Sequence, residues 1–470
     1  MDALEVCITV SVLLGYGFLW YVVSLVWAFL RIRPDVPADP DSLSWHFFVP
    51  CRDEAAVIGP TLAYLRSTFP AAVCWVVDDD STDATCSIVA EIGRSDPGVR
   101  LVRRRLPQAR TGKGDALNAA YRALCADLEP TTDHATVVVC VVDADGRPSP
   151  ETLAVCAGPR LLGDPATGAA QIEVRMSNRA ASRPLPGRGL ITNVAAGLLA
   201  RLQDIEFRCP ISAMQTLRAW CRTVNLGGNG QLVRLSALDS LDDEHDGGPW
   251  GNALLEDYEI GLRLMLAGWD IAYTTSAWVD QEALWSLRTL MVQRTRWAQG
   301  SMQCLRYLPR IWRSPHFGNA GLFEVTYFML QPWMQLVGAV VYPIPFIAFA
   351  YAAACAPEAT QQFLRDGGAA MLLLYSVIAV GEFAVWGVVY RVRCETKLSR
   401  RYSLAVGLAM MAYSFLGYAI AWRAFARLVT GRTSWPKTPR NAELVRPREH
   451  ADIPAGAPVS VSGAQRHGAT

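Results

Sequence analysis

The stretch Thr136-Val137-Val138-Val139-Cys140-Val141-Val142-Asp143-Ala144-Asp145 runs from uninterrupted apolar residues straight into two carboxylates spaced i, i+2. A short apolar run bounded by turn residues reads as a β-strand. Two earlier runs, residues 45–49 and 73–77, have the same form. The first leads into Arg52-Asp53-Glu54, the second into Asp78-Asp79-Asp80. Helix-like stretches such as residues 115–124 alternate with these runs. The pattern predicts an α/β domain with a mostly parallel sheet and helices on both faces. In such sheets ligands bind beyond the carboxyl ends of the strands. One acid at a strand end reads equally as a helix cap or turn residue, but three clusters converging on one edge read as a site.

Working outward, 470 residues exceed one ordinary soluble core. Hydropathy divides the chain into an N-terminal anchor (1–31), a Pro- and Asp-rich linker (32–44), a soluble domain (45–283), interfacial amphipathic helices (284–320), a transmembrane bundle of about three to four spans (321–430) and a largely disordered tail (431–470). The anchor lacks a basic leader and ends in Arg31 and Arg33 rather than a cleavage site, so it reads as retained. Its flanking charges predict the N-terminus outside and the large soluble domain in the cytoplasm of a multi-pass plasma-membrane protein. The basic loops near 391–401 and after Arg423 conflict, because one intervening span cannot leave both on one side. Between 321 and 354, Pro332, Pro343 and Pro345 suggest an interfacial segment plus one span, or a kinked hairpin. Net charge is +1, from 44 basic and 43 acidic side chains, which argues against a nucleic-acid partner. Twelve cysteines without a CxxC pair fit reduced, buried thiols.

The pair Asp143 and Asp145 can face one hard divalent cation, Mg2+ or Mn2+, of the kind that bridges phosphates. Asp78 and Asp79 suit the polar edges of a base or ribose, and Thr111-Gly112-Lys113-Gly114 offers a flexible backbone and one cation for phosphate. That loop lacks the GxxxxGK[ST] spacing of a P-loop, and no GxGxxG follows the first strand, so kinase and dinucleotide readings lose their support. Glu256 and Asp257 open a helix-like segment; they read as N-terminal dipole acids or as a general base with its neighbour. Gln293-Arg294-Thr295-Arg296-Trp297 closes the soluble part in an interfacial segment rich in Trp, Leu and Arg.

In this order, together with the opening Pro50-Cys51-Arg52-Asp53-Glu54, these motifs resemble the membrane-bound members of glycosyltransferase family 2, which include cellulose, chitin, hyaluronan and poly-N-acetylglucosamine synthases. The resemblance implies a GT-A-like sheet domain fused to a transmembrane helical bundle. It implies that Asp53, Asp78, Asp79 and Lys113 contact the nucleotide and that Asp143 and Asp145 hold the diphosphate and its metal. Asp257, with Glu256 beside it, becomes the catalytic base. Gln293, Arg294, Arg296 and Trp297 bind the leaving diphosphate and form a platform for the acceptor. Gly227-Gly228-Asn229-Gly230-Gln231 is similar to a glycine-rich acceptor segment, and residues 434–440 to a gating element. Three positions depart from the pattern: Asp80 where Gly or Asn is usual, Asp53 where Asn is common, and Leu255 in place of Thr. The expected activity is inverting transfer of a hexose or N-acetylhexosamine from a nucleotide sugar, UDP-linked, to a growing polysaccharide with β linkages. The alternatives are transfer of one sugar to a membrane lipid and an inactive nucleotide-binding membrane protein. The few spans leave room for a second copy or an export partner.

Overall fold

Residues 3–242, 247–432 and 441 are described by a computed structural model. The opening apolar run becomes the centre of an eight-stranded sheet of order β3-β2-β1-β4-β7-β6-β8-β5. Its strands are β1 (Ser44–Cys51), β2 (Val73–Asp79), β3 (Val99–Arg104), β4 (Val137–Val141), β5 (Arg147–Pro148), β6 (Thr167–Met176), β7 (Gln231–Arg234) and β8 (Asp270–Gln281). Val137, Val139 and Val141 enter one core cluster, and Val138, Cys140 and Val142 the other. Both faces of β4 are therefore buried, and that is why its sequence shows no polar alternation. Burial of each such side chain contributes about 1.5–3 kcal/mol.

β1, β2, β3 and β4 pair in parallel, as the sequence predicts. The sheet is nonetheless mixed, because β7 lies antiparallel between β4 and β6 while β6 and β8 pair in parallel. A parallel neighbour needs a long crossover. β7 is instead entered directly from the glycine-rich segment, and Gly230 adopts φ +75° beside Ile172 and Val279.

The first helix, α1 (Ala3–Leu30), precedes the sheet; α2 (Ile58–Thr68), α3 (Thr85–Ser95) and α4 (Lys113–Asp127) connect its early strands. α5 (Leu190–Glu206) and α6 (Ser212–Cys221) follow β6, and α7 (Glu256–Leu266) precedes β8. Beyond the sheet come α8 (Leu287–Cys304), α9 (Asn319–Val341), α10 (Pro343–Cys355), α11 (Ala369–Arg393) and α12 (Arg400–Val429). Val22, Leu25 and Phe29 of α1 pack with Leu202 and Ile205 of α5, Trp386 and Tyr390 of α11, and Val406 and Met410 of α12.

Among the described residues, four helical stretches are long and apolar enough to cross a membrane: Val6–Leu30, Asn319–Cys355, Pro357–Arg393 and Arg400–Val429. Pro343 opens α10, where its missing N–H is harmless. None of the twelve cysteines is in a disulfide. The expectation for the tail falls almost wholly outside the described residues, as does the gating element at 434–440.

The last long helix keeps close to the sheet domain. Just before it, Glu395 accepts from Arg179 at 3.1 Å and Arg208 at 2.9 Å. Midway, Tyr413 donates to Glu206 at 2.7 Å, and near the end Arg427 donates to Gln299 of α8 at 2.8 Å.

Candidate active site

A cavity of about 460 Å³ opens at the carboxyl ends of β1, β2 and β4. Lys113, at the start of α4, lines it and is mostly buried, its side chain 11% exposed. Its Nζ donates to Asp143 Oδ1 and to the Gly228 carbonyl, both at 2.7 Å, and lies 3.8 Å from Glu256 Oε1. Burial alone would lower the ammonium pKa, but Asp143, Glu256 and Asp257 outweigh it and the net shift is upward. Glu256 and Asp257 form the first turn of α7, which places both carboxylates on this wall. Asp257 Oδ1 accepts from the Tyr258 N–H at 2.7 Å. Burial first, and then the charge of Glu256, push the Asp257 carboxyl up to about 7, with Lys113 pulling the other way. Gly228 is glycine for want of room: a Cβ there would stand 3.1 Å from both Asp257 Oδ2 and Lys113 Nζ.

Asp143 and Asp145 both line the cavity. The Asp143 N–H donates to Asn229 Oδ1 at 3.2 Å, and the Glu282 N–H donates to Asp145 Oδ2 at 3.1 Å. Asn229 also donates to Gln281 Oε1 at 2.9 Å, so the glycine-rich segment fixes the acidic loop. Seven carboxylates line the cavity (Glu54, Asp79, Asp143, Asp145, Glu256, Asp257, Glu282) against four cations (Arg52, Lys113, Arg218, Arg296). That imbalance suits a divalent cation arriving with a ligand. No group of three or more His, Cys, Asp or Glu that could hold a metal occurs among the described residues. A two-carboxylate donor set fits an ion that completes its shell with substrate phosphates and water, as Mg2+ commonly does.

The nucleotide candidates separate into two groups. Asp79 lines the cavity; its Oδ1 accepts from Arg104 and from the Arg110 N–H, while Oδ2 is buried without a partner. Desolvation raises its pKa against the pull of Arg110 and Arg104. Asp78 is fully buried behind the site, accepting from the Ser81 N–H at 3.2 Å and from Arg105 at 3.0 Å. Asp53 faces Thr82, whose N–H and hydroxyl both donate to its Oδ1, so Arg52 and Glu54 line the cavity in its place.

α8 divides the pentapeptide by helical geometry. Gln293, Arg296 and Trp297, at i, i+3 and i+4, share one face and line the cavity. Arg294 points elsewhere: it donates to Glu206 at 2.6 Å, and its guanidinium lies 4.0 Å from the Trp297 ring centroid. Phe207 meets the same indole edge-on at 6.2 Å. Arg294 thus braces Trp297 rather than facing the cavity. Asn441, beyond the undescribed segment 433–440, donates to Glu282 and the Ala283 carbonyl and lines the cavity as well.

With this geometry in place, residues 44–300 match the family model described as "Glycosyltransferase like family 2". The chain belongs to this family. It is 27% identical over 410 residues to a beta-monoglucosyldiacylglycerol synthase of Synechocystis sp., covering 84% of this chain and 74% of that protein. It is 24% identical over 296 residues to a poly-beta-1,6-N-acetyl-D-glucosamine synthase of Staphylococcus aureus, covering 61% and 63% respectively. Of curated relatives that are 26% to 28% identical to it, the chain spans 50% to 74% of the length. The mannosyltransferase PcManGT from Pyrobaculum calidifontis, solved in complex with GDP-Man and Mn2+, shares the GT-A-like fold. Its TM-score is 0.55 at 20% identity, over 91% of this chain and 99% of that one.

Membership in the glycosyltransferase family gives two of the departures a physical reading. Asp53 has φ 55° and Asp80 φ 60°, a left-handed conformation open to Gly and Asn and, among charged residues, most readily to Asp. Asp80 is held there by Arg110, which pairs with its carboxylate at 3.1 Å and donates to its carbonyl at 2.6 Å. At the third, Leu255 gives α7 no side-chain cap and packs instead against Gly300 of α8. Sequence reasoning passed over Gln171 and Gln281 as lining residues, which no periodicity or spacing singles out, and it gave Arg52 no role within the strand-end cluster that holds it.

Proposed function

We propose that this chain is an inverting glycosyltransferase that moves a hexose or N-acetylhexosamine from a nucleotide sugar, UDP-linked, to an acceptor hydroxyl and forms a β linkage. The observation that carries this reading is the convergence of Asp257, Lys113, Asp143 and Arg296 on one cavity. Asp79 and Arg52 would meet the nucleoside, with Asp53 and Asp78 holding the loop behind them. Asp143 and Asp145 would hold the diphosphate through Mg2+ or Mn2+, an ion that supplies positive charge to the leaving group when bound. The acceptor hydroxyl gives its proton to Asp257 as its oxygen attacks the anomeric carbon. The bond from that carbon to the diphosphate oxygen breaks in line, and its electron pair stays on the diphosphate. Lys113 and Arg296 meet that charge where water is scarce. Glu256 holds Lys113 in place and keeps Asp257 poised as a base.

Ile211, Met214, Leu254, Leu255 and Phe328 also line the cavity and offer no hydrogen bonds to sugar hydroxyls. That lining supports a membrane lipid as acceptor, receiving one sugar, and the Synechocystis relative bears the name of such an enzyme. A growing polysaccharide is the second reading, supported by the Trp297 ring on the cavity wall, since indole stacks on the apolar face of a sugar. The test is to supply a panel of nucleotide sugars to the full chain in lipid vesicles and analyse products by mass spectrometry. A single lipid-borne glycoside supports the first reading and a ladder the second. Absence of nucleoside diphosphate release from every donor overturns the enzyme.

We infer further that α12 lies along the membrane surface on the side of the catalytic domain. From Arg400 to Arg427 a helix rises about 40 Å. Hydrogen bonds to the domain before it, at its middle and near its end support this placement, beside its packing on Gly387 of α11 and Trp333 of α9. Both basic loops then fall on one side, cytoplasmic by the charge rule.

A further inference from the structure

Besides Arg52 Nε and Asp79 Oδ2, three side chains that line the cavity carry buried polar atoms without a hydrogen-bond partner: Arg218 Nη2, Tyr258 Oη and Asn225 Oδ1. Native interiors seldom leave such atoms unmatched, and three on one cavity call for an explanation. Two of them gather around Phe328. The Arg218 guanidinium lies 4.0 Å from its ring centroid, and the Tyr258 ring meets it at 5.3 Å. Gln215, one turn before Arg218 on α6, clamps the main chain of Asn225, donating to its carbonyl and accepting from its N–H. Tyr258 and Asp257 both line the cavity, so this polar group shares it with the base.

The charge of Arg218 is already answered. Its Nε donates to Glu324 Oε1 at 2.6 Å, and the other Glu324 oxygen accepts from Thr223 at 3.1 Å. What remains is one N–H donor, one amide oxygen and one hydroxyl that can do either, with no net charge. A phosphate would find no uncompensated cation there. Vicinal hydroxyls or an ester oxygen would find matched partners, with apolar wall close by.

We propose that Arg218, Tyr258 and Asn225 form an acceptor subsite that binds an uncharged polyol headgroup and disfavours anionic ones. The proposal rests on the glycosyltransferase reading. The polyol is either a glyceride in the bilayer or the end of a saccharide chain, and the test separates these sources. Full-length protein in phosphatidylcholine vesicles is given the donor that it turns over, with diacylglycerol in the membrane in one arm and a soluble oligosaccharide in the other. Tyr258→Phe removes only an unpartnered hydroxyl, so folding and UDP affinity stay intact. The acceptor KM rises about three- to tenfold in the arm that supplies the true acceptor. Glu324→Gln leaves Arg218 uncompensated and makes phosphatidylglycerol inhibitory where the wild type ignores it. An unchanged acceptor KM in both arms for Tyr258→Phe, with UDP affinity intact, overturns the subsite. Wild-type protein that binds UDP but turns over no donor with either acceptor overturns the transferase reading and the subsite with it.

Discussion

Asp257 is held under opposing influences, and its pH behaviour is the finest test of its role. Burial and the neighbouring Glu256 push its carboxyl up to about 7, while Lys113 pulls down. A base works only when ionised, so lowering the pH through that value removes it. kcat/KM is expected to fall about tenfold per pH unit below ~7. Glu256→Gln deletes the nearest like charge and is expected to move this limb to lower pH, as read from a kcat/KM profile. A limb that stays in place would mean that another group titrates. The two carboxylates of the acidic loop give a second expectation at this scale. Asp145→Ala is expected to abolish the effect of added Mn2+ on UDP affinity in calorimetry, while Asp78→Asn, behind the cavity wall, leaves that effect intact.

At the scale of elements, α8 assigns different work to neighbouring residues. Removing the Arg296 side chain withdraws a cation from the cavity and is expected to lower kcat about 10²- to 10³-fold with little loss of stability. Arg294→Ala instead breaks the pair with Glu206 and the brace under Trp297, at a cost of about 1–3 kcal/mol measured by denaturant unfolding. Equal effects of the two changes on kcat and stability would contradict the division of the helix. The sequence motif marks all of these residues but not their directions, because adjacent helix positions point about 100° apart and only the packed partner reveals which face is buried. Strands were legible for the same reason in reverse. β1, β2 and β4 are apolar runs buried on both faces, and their bounds fall within two residues of the sequence reading. β6 and β8 mix polar and apolar residues, and β7 is four residues long, so none of them stands out without the pairing that creates it.

At the scale of the molecule, the conflict between two basic loops disappears if one apolar helix does not cross the bilayer. Length and composition pass α12 as a span; it packs on Gly387 of α11 and Trp333 of α9, and hydrogen bonds from its middle and its end also tie it to the catalytic domain and α8. The N- and C-termini are therefore expected on opposite sides of the membrane, with the C-terminus beside the catalytic domain, as judged by protease access to terminal tags in oriented vesicles. Four crossing helices would put both termini on one side. In the proposed arrangement Trp297 and the apolar cavity wall would lie next to the bilayer, within reach of a lipid acceptor. The central claim is that Asp257 takes the acceptor's proton in one in-line displacement. Its most direct measurement is NMR of the anomeric centre in the product made by wild type and by Asp257→Asn from an α-linked nucleotide sugar. The account expects a β linkage from the wild type and a loss of about 10²- to 10⁴-fold in product from the variant; an α-linked product, or undiminished turnover in Asp257→Asn, would contradict it.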